Sequence, residues 1–389
     1  VGPGRRGGVV SAAPPLVDRI ADAHVVVCAG PGGVGKTTTA AALGLALARR
    51  GRRVAVVTID PARRLADALG LGRLGNDPER VDPARLAGLG VAAPGELWAS
   101  MLDPQATFDA LIGELSPDAR VRDEVLANPI YRQISGSAGG SHEFTAVARL
   151  YDLAHDDRFD VVVLDTPPSR NALDFLDAPE RIAGFLEGRA IQAIIGGGRR
   201  GVASRIARRG TGVVLRGLQR LTGVDLLRDL QTFFTTIGPL SDGFAARATA
   251  VGELLRDGRT RFVVITGPGP VPAAEAEFFR AHLAEVGMPF TGLVVNRVAV
   301  VAERDRDLDG ESVATTLRDA LGAPLADAVG HTWDAHRRLA ARDRETVAAL
   351  VRSTGDDAPT VVPTLDGEVF DLPALVAVVD VLDPPRPAA

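Results

Sequence analysis

The stretch CAGPGGVGKTTTA, residues 28–40, constrains the fold of this chain more than any other. It follows a short apolar run, HVVVCA (24–29), and leads into TTTAAALGLALARR (37–50), which is rich in good helix formers and ends in basic residues. A second apolar run, RVAVVTI (53–59), completes a βαβ unit, whose strands are expected to be parallel and whose crossover right-handed. Within the turn, Gly30 to Thr37 fits G-x-x-x-x-G-K-[ST] in full. Glycines there let backbone amides turn inward around an anion, and the helix N-terminus adds partial positive charge. Lys36 is then placed to reach phosphate oxygens and the Thr37 hydroxyl to ligate Mg²⁺. The same letters contain Gly30-x-Gly32-x-x-Gly35, a dinucleotide fingerprint with Asp60 further on. That rival gives no work to the Lys-Thr pair after the third glycine.

Lys36 is the only lysine among 44 basic residues; every other one is arginine. A bias toward Arg, Ala, Gly and Pro accounts for the missing lysines, and this makes the one that remains informative. A position that resists arginine needs a compact ammonium rather than a wide planar fork.

Further apolar runs at DVVVL (160–164), RFVVI (261–265), TGLVV (291–295) and 358–362 read as strands buried on both faces. With helical stretches such as 273–286 and 311–321 between them, they predict an α/β fold with a mainly parallel, doubly wound sheet. The expected organisation is a tail over 1–20, a single domain over 21–383 with a helical subdomain from 97–154 and 180–258, and a tail over 384–389. In the second helical interval Leu226, Leu227, Leu230, Phe233, Phe234 and Ile237 recur at helical spacing, as a core face or as a groove for an apolar client. The segment 196–220 carries seven arginines and no acid, against a net charge of −5 for the chain. It reads as a solvated loop and helix, or as a dock for an anionic membrane surface or acidic partner. No aromatic residue interrupts it to stack on bases, so nucleic acid is not expected. Cys28 is the only cysteine, which excludes an internal disulfide framework and any CxxC motif and fits a reducing cytoplasm. No apolar run reaches the roughly 18 residues of a membrane-spanning helix. His331 and His336 are five apart, so on a helix they do not share a face and read as ordinary histidines.

Two carboxylates accompany the glycine-rich turn. Asp165 ends the run DVVVL and is placed to serve Mg²⁺, or else merely forms a turn before Thr-Pro-Pro. Asp60 ends the second strand, placed to orient a water toward a γ-phosphate or to cap a helix starting near Pro61.

Taken together, GPGGVGKTTTA (30–40), IDPARRLADALG (59–70), LDTPPSRNALDFLDAP (164–179), VVNRV (294–298) and VPTLDGEVFDL (362–372) resemble the arsenical-pump ATPase family, which includes the Get ATPases that escort tail-anchored membrane proteins. The resemblance spans most of residues 24–380. It implies a Mg²⁺-dependent ATPase in which Gly32, Gly33, Val34, Gly35, Lys36, Thr37 and Thr38 hold the phosphates of ATP. It further implies that Thr37 ligates Mg²⁺, Asp165 contacts it, Asp60 positions water, Asn296 reads the adenine edge and Pro363 lies near the base. Such ATPases work as nucleotide-gated dimers that bind a client or membrane partner from the cytoplasm, some of them peripheral to the membrane.

Three features depart from that pattern. The family's second, signature lysine follows the first glycine of the loop, where this chain has Pro31. Its substitutes are an arginine, from Arg63, Arg64 or Arg170, or a lysine-bearing partner chain. The cysteines that bind arsenite and the CxxC zinc clasp of the tail-anchor escorts have no counterpart. The sequence therefore predicts a dimeric ATP-driven switch or, alternatively, a catalytically weak regulatory subunit of a heterodimer.

Overall fold

Every side chain of Val25–Ala29 is buried, which makes this strand (β1) the spine of the sheet. In a computed structural model the described residues are 14–60, 63–129, 131–132, 141–167, 240–365, 367 and 371–384. Among them, eight strands form one sheet. After β1 come β2 (Arg53–Thr58), β3 (Glu79–Arg80), β4 (Glu96–Met101), β5 (Val161–Asp165), β6 (Thr260–Thr266), β7 (Phe290–Val298) and β8 (Thr360–Pro363). Their order across the sheet is β3-β4-β2-β5-β1-β6-β7-β8, and only the short β3 runs antiparallel to its neighbour. This is the expected α/β architecture with a mainly parallel sheet.

The helices in chain order are α1 (Leu16–Arg19), α2 (Lys36–Arg49), α3 (Arg64–Leu69), α4 (Pro83–Gly88), α5 (Pro104–Leu115), α6 (Ala119–Ala127) and α7 (Ser141–Ala154). They continue with α8 (Ser241–Arg256), α9 (Pro270–Glu285), α10 (Gly310–Leu321), α11 (Ala323–Thr354) and α12 (Leu372–Leu382). Alternation along the strands divides the interior in two. Val26, Cys28, Val54 and Val56 face a layer made by α1, α2, α3 and α12. Val25, Val27, Ala55 and Val57 face the layer of α7, α8, α9 and the last turns of α11. Each fully buried valine contributes on the order of 1.5–3 kcal/mol, so both faces must be covered for such strands to persist. A separate cluster, with Leu111, Ile112, Val125, Tyr131, Ala148 and Phe244, joins α5, α6, α7 and α8. Arg247 on α8 pins that group, donating to Asp152 on α7 at 2.6 Å and to Glu114 on α5.

Two expectations are corrected. The helical interval 97–154 opens in a strand, because β4 (ELWASM) pairs in parallel with β2 from Glu96 to Met101. The tail expected over 1–20 is structured from α1 onward. Leu16, Val17 and Ile20 are buried there, and Arg19 pairs with Asp356 at 2.9 Å. Arg170, the arginine-rich 196–220, the apolar stripe from Leu226 to Ile237 and most of the 180–258 interval lie outside the described residues. No helix among the described residues is long and apolar enough to cross a membrane.

Candidate nucleotide site at the C-terminal edge of the sheet

Register brings the candidate residues together. Asp165, the last residue of β5, pairs across with Cys28 on β1 and with Thr58 on β2. The loop leaving β1 and the segment leaving β2 therefore begin on either side of one carboxylate. The loop's own shape is enforced by close approach. Gly30 has φ +147°, and a Cβ there would stand 1.9 Å from the carbonyl oxygen of Ile265 on β6. Gly35, the N-cap of α2 at φ +94°, lies so close to Asn296 that a Cβ would meet its Nδ2 at 2.3 Å.

The result is a cleft of about 640 Å³. Its lining includes Gly32, Gly33, Gly35, Lys36, Thr37 and Thr38 with Asp60, Arg64 and Asp165, and also Asn296, Arg297, Pro363, Thr364 and Leu365. Val34 is buried, and its carbonyl accepts from Asn296 Nδ2 at 2.8 Å. The Asn296 Oδ1 accepts from the backbone N–H of Arg297 at 2.9 Å. Asn296 thus bolts the tip of β7 to the glycine-rich loop, with one N–H and one lone pair left over among the described residues.

Lys36 is 7% exposed and donates to the carbonyl of Pro31 at 2.8 Å, so its ammonium lies folded along the loop. Burial pulls its pKa below the usual lysine value, with Asp165 and then Asp60 opposing the shift. Thr37 Oγ1 and Thr58 Oγ1 both donate to Asp165 Oδ2, at 2.7 and 2.8 Å. The other oxygen, Oδ1, is buried and has no partner among the described residues. Burial pushes the Asp165 carboxyl up to about 6, against the downward pull of the two hydroxyls and Lys36.

That donor set fits Mg²⁺. An orphaned carboxylate oxygen beside a threonine hydroxyl offers two hard oxygens, and Mg²⁺ takes few protein ligands when phosphates and waters complete its shell. Among the described residues no group of three His, Cys, Asp or Glu could hold a metal. His336 Nε2 instead meets the carbonyl of Val300 at 2.9 Å.

Asp60 lies 3.8 Å from Arg64, four residues on. The helix α3 begins at Arg64, with Arg63 as its N-cap and no side-chain capping bond. Arg63 stands apart from Arg64, lining an adjoining recess of about 300 Å³ with Thr58, Arg73 and Met101. Thr58 and Arg297 were not anticipated from the sequence. Each adjoins a residue that was, two before Asp60 and one after Asn296, and nothing local distinguishes either until the strands are in register.

Residues 23–202 match the family described as anion-transporting ATPase. The chain is similar to the ATPase GET3 of Malassezia globosa, 30% identical over 44% of this chain and 48% of that protein. An uncharacterized protein of Streptomyces coelicolor is 29% identical over 71% of this chain and 62% of its own length. The arsenical pump-driving ATPase of Acidiphilium multivorum is 26% identical over 75% of this chain and 42% of its own. The chain spans about half the length of these relatives.

Proposed function

We propose that the chain, whose residues 23–202 match the anion-transporting ATPase family, is an ATPase of the ArsA/Get group that binds ATP with Mg²⁺ in the cleft described above and hydrolyses it as a nucleotide-gated dimer. The observation that carries this reading is the convergence of Lys36, Thr37, Asp60 and Asp165 in the lining of a single cleft. Lys36 would leave the Pro31 carbonyl for the β- and γ-phosphates, and the backbone amides of Gly32 to Thr38 would surround them. Thr37 and Asp165 would hold Mg²⁺, which supplies neutralisation of the charge shared by the same oxygens. Asp60 would orient the attacking water, and Asn296 would turn its remaining amide positions to the base, beside Pro363. Nucleotide state would then reach the helical layer through the segments that follow Asp60 and Asp165. The output on this reading is the binding and release of an apolar client or a membrane-associated partner in the cytoplasm.

Arsenite is not part of the proposal. Trivalent arsenic needs clustered thiolates, whereas Cys28 is solitary and buried, with its thiol pushed well above the usual value by burial.

The test is ATP turnover by the purified chain across a wide range of protein concentration, with Lys36→Ala as the blank. Specific activity that climbs with concentration supports a self-made catalytic dimer. Absence of ATP binding above the blank refutes the reading.

Pro31 favours a second reading, a regulatory subunit that binds ATP but turns it over weakly. Pro31 holds the place after the first loop glycine, and no second lysine exists in the chain to act across a dimer. A charge donated across such an interface is worth on the order of 10³–10⁵ in rate. A large gain in turnover from Pro31→Lys would mark the natural chain as a weakened catalyst; no gain would leave an arginine such as Arg64 in that role.

A further inference from the structure

The strand β2 is apolar and buried from Val54 to Val57 and then ends in a hydroxyl, Thr58, which is 1% exposed. A buried hydroxyl costs stability unless it is bonded, and a valine would serve the strand better at this position. Thr58 is fully engaged. Its Oγ1 donates to Asp165 Oδ2 at 2.8 Å and accepts the backbone N–H of Asp60 at 3.2 Å. It therefore joins the segment that carries Asp60 to the carboxylate at the end of β5.

Asp165 Oδ2 takes two hydroxyls, from Thr37 and Thr58, while Oδ1 takes none. The asymmetry has a consequence for the metal. A carboxylate held by Thr37 alone can rotate about its Cβ–Cγ bond, because Thr37 is itself a candidate ligand and its position depends on the nucleotide. Thr58 belongs to a strand of the central sheet and does not depend on either. We propose that Thr58 is a positioning residue for the metal–nucleotide site: its hydroxyl locks Asp165 so that Oδ1 stays the acceptor offered to Mg²⁺ or its water shell, and couples that carboxylate to the backbone of Asp60. The proposal rests on the nucleotide reading above and adds to it a residue that touches neither nucleotide nor metal.

Thr58→Val removes the hydroxyl and keeps the branched shape; Thr58→Ser keeps the hydroxyl. The readout is binding of a fluorescent ADP analogue in EDTA and then along a Mg²⁺ titration. In T58V the metal-free affinity is expected to stay within about twofold of wild type, while the Mg²⁺ concentration for half effect rises about tenfold, the loss typical of one charge-assisted hydrogen bond. T58S is expected to return it to within about threefold of wild type, as a shorter but competent donor. An unchanged Mg²⁺ dependence in T58V refutes the proposal. So does a parallel fall of metal-free and metal-bound affinity that T58S fails to restore, since that pattern belongs to packing. Should T58V not fold, Thr58→Ala removes the same hydroxyl with less bulk and is read in the same way. Wild-type protein that binds no analogue at all refutes the nucleotide reading and this inference with it. Wild-type binding that depends on Mg²⁺ and is matched by T58V refutes this inference alone.

Discussion

Asp165→Asn is expected to alter the pH dependence of stability in a direction opposite to that of most carboxylate substitutions. An unperturbed aspartate titrates near about 3.9, whereas burial pushes Asp165 up to about 6 in the folded chain. The native state thus holds this proton more tightly than the unfolded state does. Its contribution is most favourable below the unfolded value and is lost as pH rises through the folded one. A gap of about two pKa steps corresponds to about 3 kcal/mol in all, of which about half falls between about pH 5 and about pH 8. The amide in the variant has no charge to lose, so that slope should vanish. Its carbonyl oxygen can still accept from Thr37 and Thr58, but its NH₂ replaces the unpartnered Oδ1, at a pH-independent cost of about 1–3 kcal/mol. The absolute offset between the two proteins is therefore less informative than the change in offset. Urea unfolding of both, in EDTA and without nucleotide, should show wild type losing on the order of 1 kcal/mol relative to the variant from about pH 5 to about pH 8. Curves that stay parallel over that range would mean that Asp165 is not buried as charged in the free protein, and the account of its orphaned oxygen would fall with it.

Gly30→Ala places a methyl 1.9 Å from a backbone oxygen that cannot swing away. Destabilisation of about 1–3 kcal/mol or more by denaturant titration, together with loss of ATP binding, is the expected outcome. Asp343→Ala removes the buried carboxylate on α11 whose Oδ2 accepts the N–H of Ala299, 2.9 Å away, just past β7. That N–H would then lie buried without a partner, so unfolding should show a loss of about 1–3 kcal/mol.

The strands that pack on both faces were legible because continuous valine and isoleucine leave few alternatives, and this covers β1, β2 and β5 to β8. The strand β4 was not. Leu97 and Ala99 are buried while Glu96, Trp98 and Met101 are only half-buried, as suits a strand near the sheet edge, and the sequence shows no unbroken apolar run there. Nor was α1 legible, since a helix of four residues owes its existence to the groove that accepts Leu16, Val17 and Ile20. The site divides along the same line. Its phosphate end is written within one contiguous loop and can be read as a motif. Its other contacts join residues far apart, such as Asn296 with Val34, and Thr58 with Asp165. Such pairs follow from strand order and register, which no local pattern encodes.

The solitary lysine can be put to a direct test. Lys36 is nearly enclosed, and its ammonium reaches back five residues to the Pro31 carbonyl within the loop it emerges from. An ammonium is a compact charge with three donors on a slim stem, whereas a guanidinium is planar, wider and fixed in its fork. Arginine here would have to widen the loop, whose neighbours Gly30 and Gly35 already stand within contact of Ile265 and Asn296, or else leave the loop for solvent. Lys36→Arg therefore preserves net charge and should still abolish turnover, at least a hundredfold by the scale of a lost preorganised charge contact. The decisive comparison is with Lys36→Ala in the same ATPase assay and in nucleotide binding. If K36R behaves as K36A, shape rather than charge has kept this position from the drift to arginine seen elsewhere in the chain. If K36R retains wild-type turnover, the loop tolerates the fork, and the survival of one lysine needs another cause.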